Sequence, residues 1–525
     1  MASIVYDIRT NKDGLTAELY KTDVVDILIS GHTISNTIGV ENIYSFSDEI
    51  FYNGNYKIKL IDLQSNILWH DNVDVSCIID GWKFTINTNA SGATNNTQFT
   101  LPTVIGSNYN STINWGDGTT TPLTGATDIR KTHTYSSPGI HQIKISGLFG
   151  GFGFNNGGDC KKMITIDTYI PSNVNMSNIT NGFYGCSNLT SIPVNLFKYC
   201  TSVTNFTNTF YDCTSLTSIP NNLFKYNTGV TTFAGTFGNC TNLTSIPNNI
   251  FDYNTKVTNF SEIFRNCTHI TTIPVNLFKY NIDVINFSGT FRDCTSLTII
   301  PNNIFDYNTK VTSFTSTFYN CTSIATIPVD LFRYNTGVTT FAGTLGRCTS
   351  IATIPVDLFR YNTGVTSFNS TFQYCTITII PVDLFRYNTS VIDFSYIFRD
   401  TSITSISNNI FDYNTKVSNF NGTFYNCGSI ATIPVDLFRY NTGVTSFNST
   451  FAHCKNIILP PIIFNLSTLN IVTDFSYFMD ITSTSDSNSG TIQDIWNYAT
   501  SATHSSTFRN QTGLSDYATI PTSWK

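Results

Sequence analysis

Cysteine is the residue type whose spacing in this chain could most readily carry chemistry. Ten of the thirteen cysteines keep one phase of a repeat of about 27 residues. They are Cys186, Cys213, Cys240, Cys267, Cys294, Cys321, Cys348, Cys375, Cys427 and Cys454, with Thr401 in the single gap. Zinc would need paired ligands such as C-x-x-C, and the sequence has none. Identical phase stacks these thiols on one line inside an array, where small buried hydrophobes are expected rather than bridges or metal ligands. No metal site and no cofactor are predicted. The seven histidines share no phase; only His269 and His453 lie in repeats, at different positions. There is no G-x-S-x-G, Walker-type glycine loop or H-E-x-x-H, and no carboxylate pair recurs in a cleft-forming context. No catalytic residue is assigned, and the chain is not expected to be an enzyme.

Charges within the repeats read as structural. Asp330 precedes Arg333, Asp357 Arg360, Asp383 Arg386 and Asp436 Arg439; Asp252, Asp306 and Asp412 precede Lys256, Lys310 and Lys416. Spacings of three and four would pair them on a helical turn, at about 0.2–0.5 kcal/mol each. Two adjacent columns behave differently. Between the second Phe and the Cys of each repeat, residue types change among Tyr, Arg, Asp, Asn and Gly while the framework hardly varies. Tyr and Arg are favoured at binding hot spots, and Tyr, Asn and Asp suit sugar hydroxyls. The candidate ligand-binding strip is therefore Tyr211, Asp212, Arg265, Arg292, Asp293, Tyr319, Tyr374, Arg399, Asp400 and Tyr425. That these positions merely face solvent stays open as the alternative.

The elements that would position this strip follow from the repeat itself. A proline keeps step with the cysteine (Pro193, Pro220, Pro247, Pro274, Pro301, Pro328 and on to Pro460, with Ser407 in one place), as do columns of Phe. A fixed period of this length means one unit stacked on copies of itself, because a single copy cannot bury its own apolar face. Within a unit, L-T-S-I-P segments alternate and read as one strand per coil, making a parallel ladder roughly 50 Å long over eleven coils. Proline should then open a single helical turn, P-x-[ND]-[LI]-F-x-Y, ended by Y-N-T with its Asn in the left-handed region. V-T-x-F-x-x-[TI]-F reads as a second helical or irregular edge. The fold class is mainly β. Residues 1–82 form an N-terminal β domain with alternation at Tyr56–Leu63 and Ile67–Val75; 83–148 a second β module; 149–172 a glycine-rich junction; 173–481 the solenoid; 482–525 a polar C-terminal cap. The net charge of −6 with no basic stripe argues against nucleic acid, and no apolar run nears the roughly 20 residues of a membrane span. The start, MASIVYDIRTNKDG, lacks the pattern of a secretory signal.

Two resemblances sharpen this reading. W-G-D-G-T at Trp115–Thr119 with H-T-Y-S-S-P-G at His133–Gly139 resembles the polycystic-kidney-disease (PKD) domain, an immunoglobulin-type β-sandwich. It implies an extracellular spacer or adhesion module; Asp117 reads as a turn-forming residue, with calcium binding left open as the alternative. The Val, paired aromatics, Cys and Leu/Ile columns resemble the BspA-type leucine-rich-repeat surface proteins. That likeness implies surface adhesion, and similar proteins occur in bacteriophages. The expected function is a non-enzymatic virion surface or tail protein that binds a host-surface glycan or protein through the array. Its N-terminal domain would dock onto other virion proteins, and a homo-oligomer is left open. The alternative is a bacterial cell-surface adhesin, and the third reading a depolymerase. Neither nucleic acid nor membrane insertion is expected.

Overall fold

The computed structural model describes residues 81–455, 457–481 and 488–525 with their side chains, and the backbone of six strands before residue 81. The chain divides into two units, Met1–Trp82 and Lys83–Lys525. The first contains β1 (Ala2–Thr10), β2 (Leu15–Lys21), β3 (Ile27–Ile34), β4 (Asn42–Ile50), β5 (Asn55–Ile61) and β6 (Ile67–Asp74). β1 pairs with β4, and the others form an antiparallel sheet in the order β3-β2-β5-β6. Residues 56–61 and 67–74 of the alternating stretches expected there lie in β5 and β6, while Asp62, Leu63 and Val75 lie outside the described residues. Their turn residues Gly54 and Asn66 lie outside the described residues.

The second unit opens with two sheets. β7 (Trp82–Asn87), β9 (Tyr109–Asn114), β10 (Thr120–Leu123), β12 (Ile140–Phe149) and β13 (Met163–Ile166) line up as β10-β9-β12-β7-β13; β8 (Gln98–Thr100) pairs with β11 (Thr132–Thr134). Alternation decides the inside: Tyr109, Ser111 and Ile113 are buried while Asn110 and Thr112 are exposed. The turn after β9 needs glycine, because Gly116 has φ +83° and a Cβ there would lie 2.4 Å from the Gln142 carbonyl. Both oxygens of Asp117 are engaged, one by Thr119 and the other by His133 Nε2 at 2.7 Å. Burial alone would raise this carboxyl, but those hydrogen bonds outweigh it and hold it down to about 2.

The repeat array differs from expectation in several places. Its dense ladder runs through V-T-x-F-x-x-[TI]-F, not through L-T-S-I-P. Parallel bridges join Asn205, Thr232, Asn259, Asn286, Ser313, Thr340, Ser367, Asp393, Asn419, Ser446, Asp474 and Thr503 in one line. In one middle coil Phe260, Glu262, Phe264 and Asn266 donate to the next coil, while Ile263, Arg265 and Cys267 donate back three residues. Alternation of outward and backward bonds is possible because every fourth residue here, such as Glu262 and Asn266, has positive φ. The L-T-S-I-P segment carries a single backbone bond between coils, for example Thr298 to Thr271.

The proline-led stretch is a chain of three-residue turns, not a helix: Leu277 donates to Pro274, Lys279 to Asn276 and Asn281 to Phe278. Asn276 has φ +64°, a conformation that a right-handed helix cannot include. The Asn of Y-N-T, expected to be left-handed, is instead buried at the turn's end as a hydrogen-bond donor. Asn281 Nδ2 donates to the carbonyls of Phe251 and Asn254, and the same pattern repeats from Asn227 to Asn441. With no helical turn, Asp306 does not meet Lys310, which bonds Asp283 of the preceding coil at 2.6 Å. Nor does Lys256 pair with Asp252 or Lys416 with Asp412 among the described residues. The four Asp–Arg pairs do form, at 3.3–3.4 Å.

Three Phe columns fill the interior, each stacked on its equivalent in the next coil: Phe224 on Phe251, Phe233 on Phe260 and Phe237 on Phe264, at 5.8–6.4 Å and within 9° of parallel. The carbonyls of these columns are met by side chains from neighbouring coils. Asn281 serves Phe251, Thr290 lies 3.2 Å from the Phe260 oxygen, and Cys267 Sγ–H points at Phe237. The twelve described cysteines are buried and unbridged, Cys77 lying outside the described residues. Burial pushes the thiols up, Cys348 to about 12. Where the column skips, Thr401 donates to its own Phe398 and lies 3.3 Å from Cys427.

Both ends of the array are closed, and its ladder runs past the boundaries expected at 173 and 481. The ladder begins at Gly151, which bridges to Asn178, inside the stretch taken for a junction. β13, also in that stretch, pairs with β7 and accepts Thr190 of the first coil through Ile164. A buried ion pair staples this end. Lys162 and Asp159, 3.4 Å apart and both fully buried, are saturated by one loop: Lys162 Nζ reaches the carbonyls of Thr94, Asn95 and Gln98, and Asp159 accepts from Thr94 and Thr100. At the other end, β14 (Ile458–Leu459) pairs in parallel with β15 (Ser489–Gly490), and the ladder continues to Thr503. Trp524 then covers the last coil, stacking on His504 at 4.6 Å and touching Phe475. Gln511, in the cysteine place, donates to the Met479 carbonyl. Among the described residues no helix is long and apolar enough to cross a membrane.

Breaking the staple on one side leaves a buried carboxylate unpaired, so Lys162→Met should cost about 3–5 kcal/mol. Asp159→Asn in the same chain should recover part of that loss. Urea unfolding of both variants checks this; an unchanged midpoint for Lys162→Met would show that the pair does not hold the end.

Candidate binding edges

The strip singled out from the variable columns is one physical edge, but it is largely occupied by itself. Tyr211 packs edge-on against Tyr184 at 5.0 Å and lies across Gly238, where a Cβ would sit 2.4 Å from its ring. Arg265 pairs with Glu262, and Arg292 with Asp293, both at 3.3 Å. Arg292 also lies over Tyr319, which in turn lies across Gly346. Tyr374 is covered by Arg347 at 4.6 Å and approached by Arg399, which pairs with Asp400 and lies over Tyr425. Tyr425 meets His453 edge-on. All ten candidate residues are half-buried, not fully exposed. Burial raises the Tyr211 and Tyr425 phenols.

The second of the two columns is set by the backbone. Asp212, Asn239, Asn266, Asp293, Asn320, Arg347, Tyr374, Asp400, Asn426 and His453 all have φ between +55° and +62°. Asn and Asp tolerate that region best, and here they also form a ladder. Asn239 donates to Asp212, Asn266 to Asn239, Asn320 to Asp293 and Asn426 to Asp400, at 2.5–2.9 Å. Asp212, Asp293 and Asp400 are therefore rungs of this ladder, with their carboxylates committed. Arg347 and Tyr374 break both rules together.

A second edge, missed in the sequence, is open. The residue after the F-[KRD] pair is a Tyr in ten successive coils, and from Tyr226 to Tyr440 these rings are 36–48% exposed, enough to leave a face for a partner. Except in the coils of Asp252, Asp306 and Asp412, a cation lies between successive rings. Lys198 sits over Tyr199 and Tyr226, Lys225 over Tyr226 and Tyr253, and Lys279 over Tyr280 and Tyr307. Arg333, Arg360 and Arg386 continue the series to Tyr413. The signal was present as a constant Tyr beside an always-charged residue, but the expected helical turn hid it by assigning those charges to pairs. Among the described residues no group of three or more His, Cys, Asp or Glu is gathered as metal ligands would be.

Fold and edges together define a repeat solenoid with two rows of repeated side chains along its coils. A family model described as "Mycoplasma protein of unknown function, DUF285" matches residues 159–276, 231–353, 341–460 and 366–489. These overlapping matches span more than half of the chain, and the chain belongs to that family. No curated protein matches it. Among solved structures it is similar to the chain in the TLR13–ssRNA13 complex, at 12% identity and TM-score 0.29, over 63% of this chain and 48% of that one. It is also similar to the Drosophila Toll–Spatzle complex, at 12% identity and TM-score 0.24, over 62% and 55%. The chain thus spans about half the length of these two.

If left-handed geometry rules the second column, Arg347→Asn with Tyr374→Asn restores the residue type that the backbone prefers and reconnects the amide ladder. The double variant should be at least as stable as the parent in denaturant, by up to about 1–2 kcal/mol per relieved position. A marked loss of stability would mean that the Arg347–Tyr374 stack outweighs the backbone strain.

Proposed function

We propose that this is a non-enzymatic binding protein whose array presents a repeated edge to a glycan or protein on a host surface. The observation that carries this is the row of half-exposed tyrosines, one per coil over ten coils. Tyr is favoured at binding hot spots, and equal spacing multiplies weak contacts along a polymer or a patterned surface. The reading places the protein on a bacteriophage virion or tail. In it the N-terminal unit docks onto other virion proteins, and residues 83–148 act as a PKD-like spacer. A bacterial cell-surface adhesin of the BspA type is the second reading, favoured by the repeat columns themselves.

The test compares the two edges in the full-length protein. Attachment to host cells, read by flow cytometry, should fall at least about ten-fold when Tyr280, Tyr307 and Tyr334 are replaced by Ala. It should persist when Arg292, Tyr319 and Tyr374 are replaced instead. The reverse pattern would return the binding role to the first strip, and full attachment of both variants would remove the array from that role.

A further inference from the structure

The tyrosine row is interrupted at three places in the same way. In coils reading I-F-D-Y, the lysine or arginine is replaced by Asp252, Asp306 or Asp412. Among the described residues no cation lies over both rings of Tyr253 and Tyr280, of Tyr307 and Tyr334, or of Tyr413 and Tyr440. Each ring of these pairs is at most covered from its other side, as Tyr307 is by Lys279 and Tyr334 by Arg333. The turn changes as well. Asn222, Asn276 and Asp330 precede cation-bearing coils with positive φ, whereas Asn249, Asn303 and Asn409 of the aspartate coils do not adopt it. Lys310 is held by Asp283, and the cations whose charge reaches Asp252, Asp306 and Asp412 are Lys279, Arg333 and Arg439 of the next coil, which lie over Tyr280, Tyr334 and Tyr440.

We infer that these three interruptions are binding sites for a quaternary ammonium head group of the choline type, carried by the surface that the protein recognises. The inference rests on the tyrosine edge being the binding edge. The chain's own lysines and arginines show that the place between two such rings accepts a cation, since they occupy it in the other coils. Where they are absent, a carboxylate stands in the row and supplies the opposite charge. Each site also has an exposed valine after the next proline: Val275, Val329 and Val435 are 68%, 71% and 54% exposed. At Asp306 a shallow depression joins these groups, lined by Asn302, Asn303, Asp306, Val329, Asp330 and Tyr334 and bordered by Arg333, which is paired with Asp330 and lies over Tyr334 and Tyr361. Tyrosine faces attract a cation through the ring quadrupole, and valine matches the methyl groups of a quaternary ammonium rather than a hydrated ion. A divalent metal would need six or more oxygens, which one carboxylate and two ring faces do not provide.

The experiment uses the full-length protein, choline, and the uncharged isostere 3,3-dimethylbutan-1-ol, with binding followed by saturation-transfer NMR titration. Choline should saturate, and the isostere should bind at least about ten-fold more weakly. Replacing Asp252, Asp306 and Asp412 together with Lys puts the chain's own cation back in each place. This variant should lose choline binding at least about ten-fold while keeping its melting temperature. A triple Asp→Asn variant serves if the lysine variant does not fold, and should weaken binding in the same direction. Equal binding of choline and its isostere, or unchanged binding by the folded variant, would overturn the inference. If choline binds as described but the tyrosine variant still attaches to cells, the sites stand and the attachment reading fails.

Discussion

The array depends on one requirement: carbonyls that face the inside of a coil need donors that neither helix nor regular strand supplies. A buried backbone carbonyl without a partner costs on the order of 1–3 kcal/mol, and in a stack that cost would recur in every coil. Here the backbone of each Phe column turns its oxygen inward while the ring fills the interior. Asn, Thr and Cys from neighbouring coils then meet those oxygens. Each of the three residue types is therefore fixed by its place in the ladder, and the stacked rings come into register as a result. Contacts reach only the neighbouring coil, so stability is a sum of like interfaces closed at both ends. Lys162 with Asp159 and Trp524 are the closures.

This division leaves the outside of the coil as the place where variation has chemical meaning. On one edge the side chains are still partly governed by the backbone, because a left-handed residue is required in every coil. That edge pairs with itself through Asn–Asp rungs and Arg–Tyr contacts. On the other, the turn after proline leaves Tyr and a charged neighbour free to form an open row of rings and cations. The proposed recognition of a surface grows from this second edge, where the repeat sets spacing and the charge between rings sets what each interval can hold.

The columns were legible in the sequence because burial imposes the same side chain at the same phase, and Cys and Phe have few alternative uses there. The location of the dense ladder was not. L-T-S-I-P alternates like a strand, but hydrophobic alternation reports burial, not hydrogen bonding. V-T-x-F owes its ladder to left-handed residues that no apolar period reveals. Asn misled for a related reason: it tolerates positive φ and is also an amide donor, so Asn281 and Asn276 look alike although only Asn276 is left-handed. The candidate strip was found as an edge, yet Asp212, Asp293 and Asp400 proved to be ladder rungs. The start of the array at Gly151 was hidden because its first rung uses Gly and Phe in place of the later pattern.

The central claim, a stack held by buried ladders coil by coil, has a reporter built into every coil but one of the cysteine column. Labelling of native protein with a thiol reagent, resolved by mass spectrometry at each cysteine, reads how often each coil opens. The account predicts that Cys240 through Cys375 react far more slowly than a free peptide thiol, and that all become reactive on unfolding without a reductant. Rapid modification of several of these residues in the folded protein, or their blockage by disulfides after non-reducing denaturation, would contradict it.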